Sequence, residues 1–231
     1  MRHIVFFFGL GHMALNLNNR ADRKRANREA LWGDHGFLRL WLHNHHHIGG
    51  GMHRAVQPNA KRVAKLAEMG IKTIINLRGE SPKGFYWLER EACEKHGIRL
   101  IDFRMYSRDV HSVTRLKGAR DLFKRIDYPA LMHCKSGADR AGMMAVLYRH
   151  FVMGDTIAEA VHQLDLKYGH IKQGKTGMLD FFFEEYLTYN AHTPIDFMDW
   201  VERVYDAADV KARFKAGKVG SAVTEGVLRR E

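Results

Sequence analysis

Cysteine is nearly absent: Cys93 and Cys134 are the only two in 231 residues. That count excludes a disulfide-stapled secreted domain and suits a reducing compartment, so the expected location is cytoplasmic. No apolar run approaches the roughly 20 residues of a membrane-spanning helix. The opening stretch Met1 to Leu17 starts as Arg2 and then Ile4-Val5-Phe6-Phe7-Phe8, but Gly9, Gly11 and His12 interrupt it and Asn16, Asn18 and Asn19 close it. It reads as a docked or membrane-touching N-terminus rather than an export signal, which adds a peripheral membrane contact to the expected location. Internal repeats and low-complexity segments are absent. Acidic residues are in short supply, 26 Asp and Glu against 37 Lys and Arg, for a formal charge of +11. The excess favours anionic partners: phosphorylated substrates, an anionic membrane surface or nucleic acid. Nucleic acid ranks last, because no recognisable module or aromatic-basic stripe accompanies the charge.

What is present describes a folded chain, 45% apolar and 27% charged. Residues 1–47 form a basic N-terminal extension in which Arg20, Arg23, Lys24, Arg25 and Arg28 belong to a short helix. Its basic face is either simply solvated or drawn to anionic lipid or substrate. His43, His45, His46 and His47 follow. Consecutive residues cannot all face one ion, and no Cys or carboxylate joins them at a ligand spacing, so no metal and no cofactor are assigned.

From Gly49 the pattern alternates. Strands are predicted at Met52–Val56, Ile71–Leu77, Ile98–Met105 and Pro129–His133, and helices at Ala60–Met69, Pro82–His96, Thr114–Ile126 and from Gly137 to Val152. Three further helices are predicted at Thr156–Tyr168, Met178–Tyr189 and Ile195–Ala208, with a basic, frayed tail from Asp209. The alternation predicts an α/β fold, a mostly parallel sheet flanked by helices. The expected division is the extension at 1–47, a main domain at 48–190, and a C-terminal helix with its tail at 191–231.

One segment carries chemistry: His133-Cys134-Lys135-Ser136-Gly137-Ala138-Asp139-Arg140. It joins a buried strand to a helix start. Five residues between Cys134 and Arg140 can wrap a loop whose backbone N–H groups point inward, a nest for a tetrahedral oxyanion. Lys135, Ser136, Gly137 and Ala138 line it, with Gly137 supplying a positive φ or a close backbone approach. The N–H dipoles, the helix end and Arg140 favour the thiolate of Cys134. Arg140 suits bidentate contact with two phosphate oxygens. A thiolate, an oxyanion cradle and a guanidinium together make a phosphoryl-transfer site by covalent catalysis.

These residues resemble the protein tyrosine and dual-specificity phosphatase superfamily, whose signature is His-Cys, five residues, then Arg. GGMHRAVQP, a helix, and GIKTIINLRGE are similar to the opening of small atypical dual-specificity phosphatases, so the resemblance covers residues 49–190. It implies a four- or five-stranded sheet with the cysteine loop at a strand's C-terminal end. It also implies phosphomonoester hydrolysis through a phosphocysteine, with no cofactor. His133 is implied to support the loop. The implied proton donor is an aspartate on a separate upstream loop, a place that Asp109 fits by chain order; Asp102 falls inside the predicted strand. Asp139 is the other candidate, because some lipid-directed relatives carry Asp directly before the Arg. Arg78, at the end of the IINL strand, is read as either a substrate-phosphate contact or a structural ion-pair partner. Ala141 departs from the Ser or Thr usual after the Arg and puts the rate of phosphoenzyme breakdown in question. Lys135 suits substrates with more than one phosphate, and Lys172 and Lys175 are placed in a loop bordering the pocket. Cys93 reads as a small buried apolar residue. The expected partner is a phosphorylated protein, or a phosphorylated lipid or small molecule such as a phosphoinositide. The alternative is a phosphate-binding module without turnover.

Overall fold

The computed structural model describes residues 15–228. Most of the opening stretch, residues 1–14, lies outside that range. Five strands form one sheet, β1 (His46–His47), β2 (Met52–Val56), β3 (Thr73–Asn76), β4 (Arg99–Asp102) and β5 (Ala130–Cys134), in the order β1-β2-β5-β3-β4. β1 is antiparallel to β2, and the other pairings are parallel. The α/β sheet is thus as expected, with one strand inside the N-terminal extension that the sequence pattern did not reveal.

β5 is central, and strict alternation sorts its side chains. Ala130, Met132 and Cys134 face the larger core, and Leu131 faces the smaller one. Helices α2 (Ala60–Glu68) and α3 (Gly84–Lys95) cover the smaller core, where Val63, Leu66, Ala92 and Cys93 are buried. Burial pushes the Cys93 thiol up to about 12, so this cysteine is an inert packing residue. On the other face lie α4 (Val113–Phe123) and α5 (Asp139–Phe151). Ala141 through Tyr148 of α5 are all buried, which makes α5 apolar on every side and the axis of the larger core.

Two predicted helices are divided. Thr156–Tyr168 becomes α6 (Ile157–Ala160) and two 3-10 turns, Val161–Gln163 and Leu166–Tyr168. The cause is tertiary: Arg54 takes the Gln163 carbonyl at 2.7 Å, and the Asp165 carboxylate accepts from the Lys167 N–H at 2.9 Å. After α7 (Met178–His192), the Ile195–Ala208 segment splits into α8 (Phe197–Arg203) and α9 (Ala207–Leu228). Here the Asp206 carboxylate accepts from the N–H groups of Ala208 and Asp209 at 2.7 and 3.1 Å and restarts the helix. The tail expected to fray from Asp209 is helical instead, held by buried Val210 and by ion pairs of Lys211 to Asp109 and Arg213 to Asp209 and Glu185.

The extension is docked. Its basic helix α1 (Arg20–Arg28) is capped by Asn19, and Arg23 of α1 pairs with Glu91 of α3 at 2.5 Å. Leu15, Leu17 and Ala26 pack on Trp87 and Leu88. Among the described residues no group of three or more His, Cys, Asp or Glu is placed to hold a metal ion, and no helix is long and apolar enough to cross a membrane. His45 and His53 share a hydrogen bond, and burial, with neighbouring charges, lowers both imidazoles from their ordinary value. Charge on His45 and His53 is thereby disfavoured.

Candidate active site

Val56 of β2 and Asn76 of β3 pair with Cys134 and His133, so the cysteine leaves the sheet at the shared C-terminal edge of three parallel strands. That edge is where open α/β sheets bind ligands. Cys134 is a free thiol, 1% exposed. The chain then turns through Gly137, at φ +72°, and enters α5. A Cβ at Gly137 would stand 2.7 Å from the Ala55 carbonyl carbon, so this position needs glycine for space as well as for conformation.

Helices α1, α2 and α4 are capped by Asn19, Asn59 and Ser112, whereas no side chain caps α5. The N–H groups of Lys135, Ser136, Gly137, Asp139 and Arg140 find no acceptor among the described residues; that of Ala138 makes a long 3.4 Å contact to Ser136 Oγ. Arg140 Nε is buried and likewise without a partner. Unpaired donors are costly in a buried setting unless an acceptor completes them, and here five N–H groups and one buried guanidinium Nε belong to one loop.

Charged and amide side chains outside the motif set the loop's shape. Arg54, fully buried on β2, donates to the carbonyls of Gly137 and Ala138 at 2.8 and 2.9 Å, and its guanidinium stacks 4.1 Å from the Tyr168 ring. Those bonds occupy two of the loop's carbonyls. Burial pushes the Arg54 guanidinium down to about 10. His133 Nε2 lies 2.7 Å from a Glu89 carboxylate oxygen, both side chains fully buried, and Gln57 donates to the other Glu89 oxygen at 2.6 Å. Asn44 donates to the Ser136 carbonyl at 3.0 Å and to that of Tyr168 at 2.8 Å. None of these partners was singled out from sequence. The one signal was Arg54 itself, a charge inside the predicted strand Met52–Val56.

Arg78 forms an ion pair: its guanidinium forks onto Asp34 at 2.7 and 2.8 Å, donates to Gln57 and stacks on Phe85. Asp34 also pairs with Arg39 at 2.8 Å and with Lys135 at 3.6 Å. Burial works against the Asp34 charge, but the Arg78 hydrogen bonds and the charges of Arg78, Arg39 and Lys135 outweigh it and hold the carboxyl below the usual range. Arg78 nevertheless lines a depression of about 350 Å³ together with Arg104, Tyr106, Arg108, Asp109 and Arg140.

The candidate acids are placed differently. Asp102 is taken by Asn76 and Tyr86, each at 2.7 Å. Asp109 borders the depression with Arg140, and its hydrogen bond from Lys211 of α9 holds its carboxyl below the ordinary range. Asp139 accepts from His170 Nδ1 at 2.9 Å, while His170 Nε2 donates to Asp180 of α7 at 2.7 Å. The GHIKQGKTG loop thus reaches the site through His170. Lys172 pairs with Glu184 instead, and Lys175 opens a 3-10 turn.

Burial disfavours the His170 charge, but the bonds to Asp139 and Asp180 overcome it and raise the imidazole to about 9. A raised value means the stabilisation is complete below the unfolded value of about 6.5 and disappears as pH climbs through about 9. Urea denaturation is expected to show wild type losing about 3 kcal/mol across that window relative to His170→Gln. Parallel pH profiles of the two proteins would remove His170 as the cause.

A buried cysteine at the end of a central parallel strand, an uncapped helix start and an arginine in its first turn make an oxyanion-binding type of loop at the edge of an α/β sheet. The chain belongs to the family described as DSP-PTPase phosphatase fused to NAD+ kinase, whose model matches residues 46–179, more than half of the chain. It therefore belongs to the dual-specificity-like protein tyrosine phosphatase superfamily. A curated relative, the dual specificity protein phosphatase TpbA of Pseudomonas aeruginosa, is 30% identical over 103 residues, 45% of this chain and 44% of TpbA. The match spans less than half the length of that relative. A crystal structure of P. aeruginosa TpbA superposes with a TM-score of 0.51 at 22% identity, covering 62% of this chain and 84% of that one. A second, in complex with pTyr, gives 0.47 at 19% identity over 74% and 89% of the two chains.

Proposed function

We propose that the protein is a phosphomonoester hydrolase that works through a phosphocysteine. The observation that carries this is the set of unpartnered donors in one loop, its N–H groups and Arg140 Nε, directly after the buried thiol of Cys134. The Cys134 thiolate attacks phosphorus, forming the S–P bond as the bond from phosphorus to the leaving oxygen breaks. The loop N–H groups and the Arg140 fork hold the three other oxygens, whose charge rises in the transition state. Asp109, which borders the depression with Arg140, is assigned the leaving-group proton; its pair with Lys211 holds it ionised in the resting protein, so it must exchange that pair for a proton before it acts. Water then attacks the phosphocysteine, the S–P bond breaks, and inorganic phosphate leaves with the thiolate restored. Asp139 acts on the loop's shape through His170, not on the leaving group.

The choice of acid is tested by leaving-group dependence. Asp109→Asn is expected to lower kcat about 100-fold on phenyl phosphate, whose leaving group needs a proton, and far less on p-nitrophenyl phosphate. An equal loss on both, or a selective loss in Asp139→Asn, would reassign the acid. The hydrolase itself is tested by phosphate release from an aryl phosphate, phosphotyrosine peptides, phosphoinositides and NADP+. The last is included because the family description couples the phosphatase to NAD+ kinase.

A further inference from the structure

We infer that Asp34 is a positioning residue that competes with phosphate for the site's cations: it holds Arg78 and Lys135 on the extension and so weakens the binding of any anion, the phosphate product included. This deepens the hydrolase reading above and rests on it for the place of the phosphate. Asp34 precedes residues 46–179, so the carboxylate comes from outside the segment that the family model matches. The Arg78 fork takes both of its oxygens, at 2.7 and 2.8 Å, and Lys135 Nζ stands 3.6 Å from Oδ1. These two partners reach the phosphate site by different routes. Lys135 follows Cys134 directly, and its N–H is one of the loop's unpartnered donors. Arg78 lines the same depression as Arg140.

Arg78 has little left to offer a substrate. Its Nη1 is shared between Asp34 and Gln57, its Nη2 goes to Asp34, and its guanidinium stacks on Phe85. Lys135 is the easier cation to draw away, because its side chain is 42% exposed and its contacts to Asp34 and His35 are long, 3.6 and 3.4 Å. The Asp34 side chain is 9% exposed, so water and salt screen its charge little. An anion arriving at Arg140 must therefore leave these two cations with Asp34 or pull them off it. The surroundings explain why such a competitor matters. Among the described residues, four arginines (Arg78, Arg104, Arg108 and Arg140) and one carboxylate, Asp109, line the depression. A site so cationic retains the phosphate that it releases, unless part of its charge is already engaged when the anion arrives.

The test titrates inorganic phosphate calorimetrically into the full chain and measures its inhibition of aryl phosphate turnover in parallel. Wild type runs beside Asp34→Asn, Asp34→Glu and Glu29→Gln. Asp34→Asn is expected to bind phosphate about tenfold more tightly, and to be inhibited by correspondingly less of it, because one poorly screened negative charge is gone. Asp34→Glu, which restores the charge, should stay within about threefold of wild type. Glu29→Gln makes the same charge change elsewhere on the extension and should leave phosphate affinity unaltered. A carboxylate that served only to hold the fold would give the opposite sign, since loosening Arg78 would weaken phosphate binding. Unchanged or weaker binding in Asp34→Asn overturns the inference, and so does an equal gain in Glu29→Gln. Should Asp34→Asn fail to fold, wild type alone decides: its dissociation constant for phosphate is expected at about 0.1 mM or weaker, and a tighter one means that Asp34 withholds nothing. If wild type turns over no aryl phosphate, the hydrolase reading falls, and the calorimetric comparison still decides Asp34.

Discussion

Cys134→Ser is expected to abolish phosphate release from an aryl phosphate, by on the order of 10⁴-fold or more, with the fold and the phosphate-binding loop intact. Serine differs from the buried thiol by one atom, and the site's donors are untouched, so the variant should still bind inorganic phosphate in a calorimetric titration. Arg140→Lys should behave in the opposite sense. It keeps the thiol and a positive charge but loses the fork, and with it phosphate binding and about 10²–10³-fold in turnover. The two variants together separate nucleophile from clamp. Turnover persisting in Cys134→Ser would remove the covalent mechanism. Normal phosphate binding in Arg140→Lys would mean that the orphaned Nε is not aimed at the anion.

The second large effect falls on a residue with no part in the chemistry. Arg54→Met keeps the aliphatic stem but leaves the carbonyls of Gln163 and Gly137 without their side-chain donor in a buried setting, and that of Ala138 with the Gly142 N–H alone. The cost should be about 3 kcal/mol or more in urea denaturation, because hydrogen bonds to a charged group are lost at once. The KM for an aryl phosphate should rise about tenfold as the loop's carbonyls swing toward the anion. Arg54→Lys should recover little of either, since an ammonium cannot reach three carbonyls as a planar fork does. Lost stability with an unchanged KM would show that the loop holds its shape without Arg54.

These two sites differ in how far the sequence announces them. The strand, loop and helix around Cys134 were legible because their determinants are local: an apolar run, a glycine with positive φ and an arginine in the first turn of the helix. The parallel sheet was legible from alternation for the same reason. Arg54 meets Gly137 across 83 positions, and His170 meets Asp139 across 31, so no periodicity encodes either contact. The same long-range bond from Arg54 explains why Thr156–Tyr168 looked like one helix and is not. Arg78 was left between two roles because a strand's end gives its position but not its partner; Asp34, 44 residues away, supplies that partner.

The burial of Ala141 through Tyr148 in α5 has a practical consequence for finding substrates. A loop fused to the rigid axis of the larger core cannot loosen without loosening the domain, so a ligand that binds it raises the melting temperature of the whole domain. At a hundred times its dissociation constant, such a ligand adds about 2.7 kcal/mol to the folded state. Thermal-shift screening of phosphate esters against the Cys134→Ser protein, which binds without consuming them, would therefore rank candidates before any turnover assay exists.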